Sequence, residues 1–238
     1  MAKTACFVLI HGAWHGGWCW RRVVPLLRDA GHAVYAPSLT GLGDRVHLAH
    51  PGIDLGTHIQ DVVSLAEMEE LENIVLVGHS YGGMVITGAA ERIASSLRRL
   101  VYIDAFLPEN GRGLLDYAAA ERAATMRNEG ETAGMVSCPP LAVFGVTRPG
   151  DVAWVSRHLT KQPYRTLTQP VALDLNNAAV KALPKTYVHC TSPSTGSFEQ
   201  FAGRLRNDPA WQFFEVQTGH DAMITEPEAL SRILLQSV

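Results

Sequence analysis

Six short apolar runs punctuate the chain: Cys6–Ile10, Ala33–Ala36, Ile74–Val77, Leu100–Ile103, Thr186–Cys190 and Phe213–Val216. Each has strand length. They are too continuous for strands with one wet face, which alternate apolar and polar residues. A strand apolar on both sides needs cover on both faces, as in a parallel sheet sandwiched between helices. The segments between the runs have helical period. Ile59, Val62, Val63 and Ala66 share one helical face, behind Thr57 and Gln60 at capping-box spacing. Thr225 and Glu228 repeat that spacing, with Pro227 in the first turn, ahead of Leu230, Ile233 and Leu234. Strand and helix alternate, which predicts an α/β fold: a six-stranded, mostly parallel sheet with right-handed crossovers and helices on both faces.

One interval breaks the rhythm. Between Ile103 and Thr186 lie about eighty residues, far more than a crossover needs. Within them Leu114–Arg127 has a helical pattern, Cys138-Pro139-Pro140 is a break, and Val152–Leu159 has the pattern of a second helix. Residues 107–183 are therefore expected to form an inserted cap, and residues 1–106 and 184–238 the core. Open α/β sheets bind ligands at the carboxyl ends of their strands, where such an insertion sits.

Composition narrows the partners. The chain has 238 residues, 47% hydrophobic and 18% charged, with a net charge of −3, which suits one globular domain. No Lys/Arg cluster exists to neutralise phosphates, so neither nucleic acid nor a membrane surface is an expected partner. The four cysteines (Cys6, Cys19, Cys138, Cys190) form neither a CxxC pair nor a zinc spacing. Free thiols, with no signal-like or membrane-spanning segment at the N-terminus, lead us to expect a cytoplasmic location.

Chemistry concentrates at Gly78-His79-Ser80-Tyr81-Gly82-Gly83, which joins a strand to a helical segment. G-x-S-x-G in that setting is the pattern of a nucleophile elbow, a sharp turn that lifts the serine hydroxyl above the sheet. Gly78 and Gly82 lack the Cβ atoms that would collide there. A serine hydroxyl needs a base. Of the ten histidines, His220 follows the last strand and so shares the sheet end of Ser80. His32, His47, His50, His58 and His158 read as surface or structural, His189 as a satisfied core histidine, and His79 as packing or bonding locally.

Residues 9 to 20, LIHGAWHGGWCW, follow the first strand. A phosphate cradle there would be followed by Lys-Ser/Thr, and none follows. A metal pair from His11 and His15 has no carboxylate close by in this loop. Trp14, Trp18 and Trp20 read as packing residues, with Trp14 a candidate pocket lining.

HGAWHGGWCW, LTGLGDR, LVYIDAFLPE and TGHDAM, with Gly78–Gly83 and His220, resemble the α/β-hydrolase superfamily. The resemblance is to its small-cap branch of hydroxynitrile lyases, plant methylesterases, bacterial arylesterases and pyrethroid hydrolases. It spans nearly the whole chain. It implies an oxyanion hole from the backbone N–H groups of Ala13 and Tyr81, with Gly12 letting the backbone approach the substrate closely. Most of the superfamily carries its triad acid after the penultimate strand, where Thr191–Ser197 holds none. Some members, haloalkane dehalogenases among them, place it where Asp104 ends the strand before the insertion. Asp104 is the expected acid and Glu199 the next choice; a helix cap or a loop hydrogen bond is the plain structural role for Asp104.

The resemblance implies a serine carboxylesterase acting on small hydrophobic esters, with Ser80, His220 and Asp104 as triad and Gly12, Phe106 and Trp154 binding substrate. No cofactor or metal is expected. The expected partner is a small-molecule ester, with a homodimer left open. Two alternatives stand. The lyases carry Thr and Lys at the positions of Gly12 and Asp221, so cyanide would leave here without a counter-charge. A weakly catalytic ligand-binding relative would not need so complete a set of catalytic residues.

Overall fold

The computed structural model describes residues 4–238. The main sheet has six strands: β1 (Cys6–Ile10), β2 (Ala33–Tyr35), β3 (Ile74–His79), β4 (Leu97–Ile103), β5 (Lys185–Cys190) and β6 (Trp211–Val216). Their spatial order is β2-β1-β3-β4-β5-β6, and every pairing is parallel. All residues of β1 and β3 are buried, as their unbroken apolar character requires. At the edge, β6 carries the polar Gln212 and Glu215 exposed.

From β1 the chain first builds outward to β2, then returns to place β3 on the other flank of β1. That reversal is a topological switch point, where the loops leaving two adjacent strands part and open a crevice. Ile10 is in register with Gly78, so the loop after β1 and the turn after β3 start side by side.

Two helix starts differ from the capping patterns in the sequence. The helix Leu55–Met68 begins a turn before Gln60, because the Asp54 side chain accepts the Thr57 N–H at 2.9 Å. Gln60 instead donates to Ser64 and accepts from Arg92. The last helix, Pro227–Gln236, has no side-chain cap. Thr225 closes the preceding turn, its hydroxyl donating to the Asp221 carbonyl.

Between β4 and β5 the chain forms a single turn at Leu114–Asp116, helices at Ala120–Ala133 and Pro149–Ser156, and an antiparallel pairing of Met135–Val136 with Gln162–Pro163. The helical pattern over Leu114–Arg127 is split because the Asp116 carboxylate turns back to accept the Gly113 N–H at 2.8 Å. The second helix starts three residues before Val152, since Pro149 suits a first helical position. Trp14 ties this region to the core. Its N–H donates to Gln162 at 2.9 Å, its indole N–H to the Val136 carbonyl at 3.0 Å, and its carbonyl accepts from Thr160. Among the described residues no helix is long and apolar enough to cross a membrane.

Candidate active site

Ser80 sits on the turn from β3 into the helix Gly82–Ile93 with φ 55°, a left-handed conformation costly for a residue with a Cβ. The turn is held from several sides. The Ser80 N–H donates to the Ile103 carbonyl, and the Ser80 carbonyl accepts from Gly83 and Phe106. A Cβ on Gly78 would lie 2.7 Å from the Gly82 carbonyl oxygen, and one on Gly82 would lie 2.7 Å from that of Ile10. These positions admit only glycine.

His220 and Ser80 line the same pocket. On its other side His220 Nδ1 lies 2.7 Å from Asp104 Oδ2, so the ring donates from Nδ1 and leaves Nε2 as an acceptor. Asp104 also has a left-handed backbone, φ 41°, and its N–H donates to the Val188 carbonyl at 2.7 Å. Burial alone would push the Asp104 pKa up. Hydrogen bonds from His189, His220 and the Cys190 N–H outweigh burial and hold it below the usual carboxylate value.

Glu199 lies elsewhere. It is exposed and meets the far side of His189, Nε2 to Oε2 at 3.0 Å, while His189 Nδ1 faces Asp104 Oδ1 at 3.1 Å. His189 therefore joins two carboxylates. The Asp104 hydrogen bond, opposed by burial, raises its pKa.

The loop after β1 lies against the Ser80 turn. A Cβ on Gly12 would stand 2.9 Å from both Ser80 Cβ and His79 Nδ1. Gly12 thus keeps clear of the serine itself and does not line the pocket. Ala13 and Tyr81 do line it, and among the described residues neither N–H has a hydrogen-bond acceptor. The Trp14 N–H, by contrast, is taken by Gln162. His11 braces the loop: its Nδ1 donates to the Gly12 carbonyl and its Nε2 accepts the Leu39 N–H. Burial lowers its pKa to about 3, which keeps the ring neutral for both bonds.

His15 lacks a carboxylate within its own loop, but the fold brings one to it. Asp221 Oδ2 lies 3.3 Å from His15 Nε2, and His15 Nδ1 donates to the Ala13 carbonyl at 2.8 Å. Burial would lower the His15 pKa, but Asp221 raises it. Burial likewise pushes Asp221 up, and the charge of His15 overrides it. His79 does not bond locally; its Nε2 donates to the His220 carbonyl at 3.0 Å, 141 residues away. His79, His220 and Asp221 place ligand-type atoms within 4.8 Å of one another. Each makes one hydrogen bond to a neighbouring protein group, while His79 Nδ1 and Asp221 Oδ1 have no hydrogen-bond partner among the described residues, so the trio is a buried, partly satisfied polar cluster beneath the site. Of the histidines read as surface or structural, His58 is fully buried and bonds the Tyr81 hydroxyl and the Thr40 carbonyl.

The pocket is narrow and mainly apolar. Phe106 and Trp14 line it, as do Phe144, Phe198 and Met126. Trp154 does not: it packs edge-on against Trp18, with centroids 5.5 Å apart, under the guanidinium groups of Arg21 and Arg22. Two contributors carry no sequence signal of their own. Phe198 stacks on the His220 ring, centroids 4.8 Å apart and planes 10° apart. Arg122, from the helix Ala120–Ala133, is a cation on an otherwise apolar wall. Neither belongs to a motif, because both reach the site through tertiary packing.

Comparison with known proteins identifies the fold and the family. The family model described as "Alpha/beta hydrolase family" matches residues 7–233. The carbendazim hydrolyzing esterase of Nocardioides sp. (strain SG-4G) is 39% identical, over 97% of this chain and 98% of its own. Methylesterase 2 of Arabidopsis thaliana is 28% identical, over 96% and 94%. Among solved structures, an extracellular α/β-hydrolase from a Paenibacillus species superposes with a TM-score of 0.81 at 22% identity, covering 98% of each chain. The chain belongs to the alpha/beta hydrolase family.

Proposed function

We propose that this chain is a serine ester hydrolase, with Ser80 as nucleophile, His220 as base and Asp104 as the acid that orients it. The observation that carries the reading is the convergence of three distant segments. A serine held at φ 55° shares a pocket with a histidine whose second nitrogen is held 2.7 Å from a buried carboxylate. Ala13 and Tyr81, whose backbone N–H groups have no protein acceptor among the described residues, line the same pocket.

In the reaction Ser80 Oγ bonds to the ester carbonyl carbon while His220 Nε2 takes the hydroxyl proton. The Ala13 and Tyr81 N–H groups bind the oxygen that gains charge, each worth on the order of 3 kcal/mol in the transition state. The carbon–oxygen bond to the alcohol then breaks, and His220 returns the proton to the departing oxygen. Water, deprotonated by His220, then bonds to the acyl carbon; the bond to Ser80 Oγ breaks as His220 returns the proton to Oγ, and the acid is released. Asp104 holds the imidazole tautomer and stabilises the imidazolium throughout.

The apolar lining favours small hydrophobic esters. The relative named for carbendazim hydrolysis makes carbendazim a first compound to test. A lyase reading is disfavoured, because position 221 holds a buried carboxylate paired with His15 and offers no ammonium to cyanide. The test is a panel of p-nitrophenyl, methyl and aryl-alkyl esters with carbendazim, alongside Ser80→Ala and a fluorophosphonate probe. Turnover and Ser80 labelling in the wild type, both lost in Ser80→Ala, are expected. A wild type that neither turns over nor labels overturns the proposal.

A further inference from the structure

Arg122 is the cation among the residues lining the pocket. It projects from the first turn of the helix Ala120–Ala133 and lines the same pocket as Ser80 and His220. Together with Met126, the same side chain also lines a more open outer groove with Thr125, Ser137, Cys138 and Pro139, so these two residues lie between pocket and groove. Among the described residues it makes no salt bridge and no side-chain hydrogen bond, although Glu121 and Glu129 lie on the same groove. Most of the other arginines have partners among the described residues. Arg22, for example, meets both Asp151 and the Ile224 carbonyl.

A guanidinium half-buried among Met126, Leu114 and Phe144 loses hydration that nothing on the protein restores. Burial accordingly lowers its pKa from the ordinary arginine value, with only the nearby Cys138 thiol acting the other way. Were the pocket meant for wholly apolar esters, a leucine or methionine here would pack without that cost. An arginine fork instead matches a planar pair of anionic oxygens, bound through two parallel hydrogen bonds.

We propose that Arg122 is a specificity-determining residue that binds a carboxylate at the non-reacting end of the substrate. The preferred class is then an ester with an apolar middle and a second, free carboxylate, the half-ester of a dicarboxylic acid or its aryl counterpart. This deepens the ester-hydrolase reading and rests on it. The scissile carbonyl sits at Ser80, the hydrocarbon spans Phe106, Met126 and Phe198, and the distal carboxylate reaches the guanidinium.

Two arms test it. The first compares matched esters that differ only in a terminal carboxylate or a terminal methyl, one pair modified on the acyl side and one on the alcohol side. The wild type is expected to favour the carboxylate member of one pair. In Arg122→Met the ratio of kcat/KM, carboxylate over methyl, falls at least about tenfold, mainly through KM, and Arg122→Lys recovers part of it. The second arm needs no turnover. Calorimetric binding of the carboxylate ester to Ser80→Ala is expected to weaken about tenfold on adding Arg122→Met. A wild type without carboxylate preference in either pair, or a ratio that Arg122→Met leaves within twofold, overturns the proposal. If no ester is cleaved, the hydrolase reading falls, while the binding arm still decides for or against Arg122.

Discussion

His220 Nδ1 lies 2.7 Å from Asp104 Oδ2, across 116 residues of sequence. The Asp104 carboxylate is shared, its other oxygen accepting from His189 and from the Cys190 N–H. Glu199 touches only the outer edge of this network through His189. On this geometry Asp104→Asn should lower kcat about a hundredfold or more, because an amide cannot hold the imidazole tautomer or its charge. Glu199→Gln should change kcat less than about threefold, as an exposed group acting at one remove. Steady-state ester hydrolysis by the two variants decides; equal losses in both would sink this assignment.

Gly12 is a steric prediction. A methyl group there would press on Ser80 Cβ and His79 Nδ1, both 2.9 Å from its carbon. Gly12→Ala should push the loop from Ser80, misplace the Ala13 N–H and lower kcat at least about tenfold. Circular dichroism would establish that the fold survives, and kinetics that kcat falls more than KM changes. Wild-type kcat in a folded Gly12→Ala would refute the packing argument.

Phe198 and Trp154 should behave oppositely. Phe198 stacks on the His220 ring and lines the pocket, so Phe198→Ala should lower kcat about tenfold by loosening the base. Trp154 is buried among Trp18, His158 and two arginines, away from the pocket. Trp154→Leu should lower the Tm by several degrees, roughly 2–3 kcal/mol, and leave KM within about twofold. A large KM change in Trp154→Leu would return that residue to the pocket.

Stability should depend on pH through buried histidines. Burial lowers the pKa values of His11, His58 and His79 to about 3, 4 and 3, from 6.5. As pH falls below 6.5 the unfolded chain therefore binds progressively more protons than the folded one, approaching three more near pH 5, and stability falls with acidification. Each contributes up to about 1.4 kcal/mol per pH unit. His15 and His189 act the other way: their raised values give stability that is present below pH 6.5 and lost as pH rises through the folded pKa. The stability maximum should lie near pH 6.5. Urea unfolding from pH 5 to 8 measures it, and His58→Gln should reduce the acid slope by about one proton. A flat profile between pH 5 and 6.5 would contradict the buried neutral histidines.

Local pattern carried far in this chain. All six strands were legible as apolar runs, most plainly β1 and β3, where burial on both faces leaves no polar alternation, whereas the edge strand β6 exposes Gln212 and Glu215; β1 matches its run residue for residue. Helix starts were less legible. Asp54 rather than Thr57 caps the helix Leu55–Met68, because a cap depends on which side chain reaches a free N–H and several nearby residues qualify. Ser80 was legible because strand, glycines and helix all lie within a few residues of it. Trp154 was misplaced in the pocket, since a large apolar residue in the insertion signals burial without saying against what.

By itself the sequence determined the kind of sheet, the elbow at Ser80 and the candidates for its partners, because each depends on neighbours within a turn or a strand. It left Asp104 and Glu199 to be separated, found no carboxylate for His15, and gave no sign that Arg122 or Phe198 mattered. Tertiary structure decided these. The strand order places the ends of β1, β3, β4 and β5 together, and the residues after β6 fold back over them. Hydrogen bonding and stacking fall off within a few ångströms, so which of several distant side chains meets His220 is set by strand order and loop path, quantities that no local window of sequence contains.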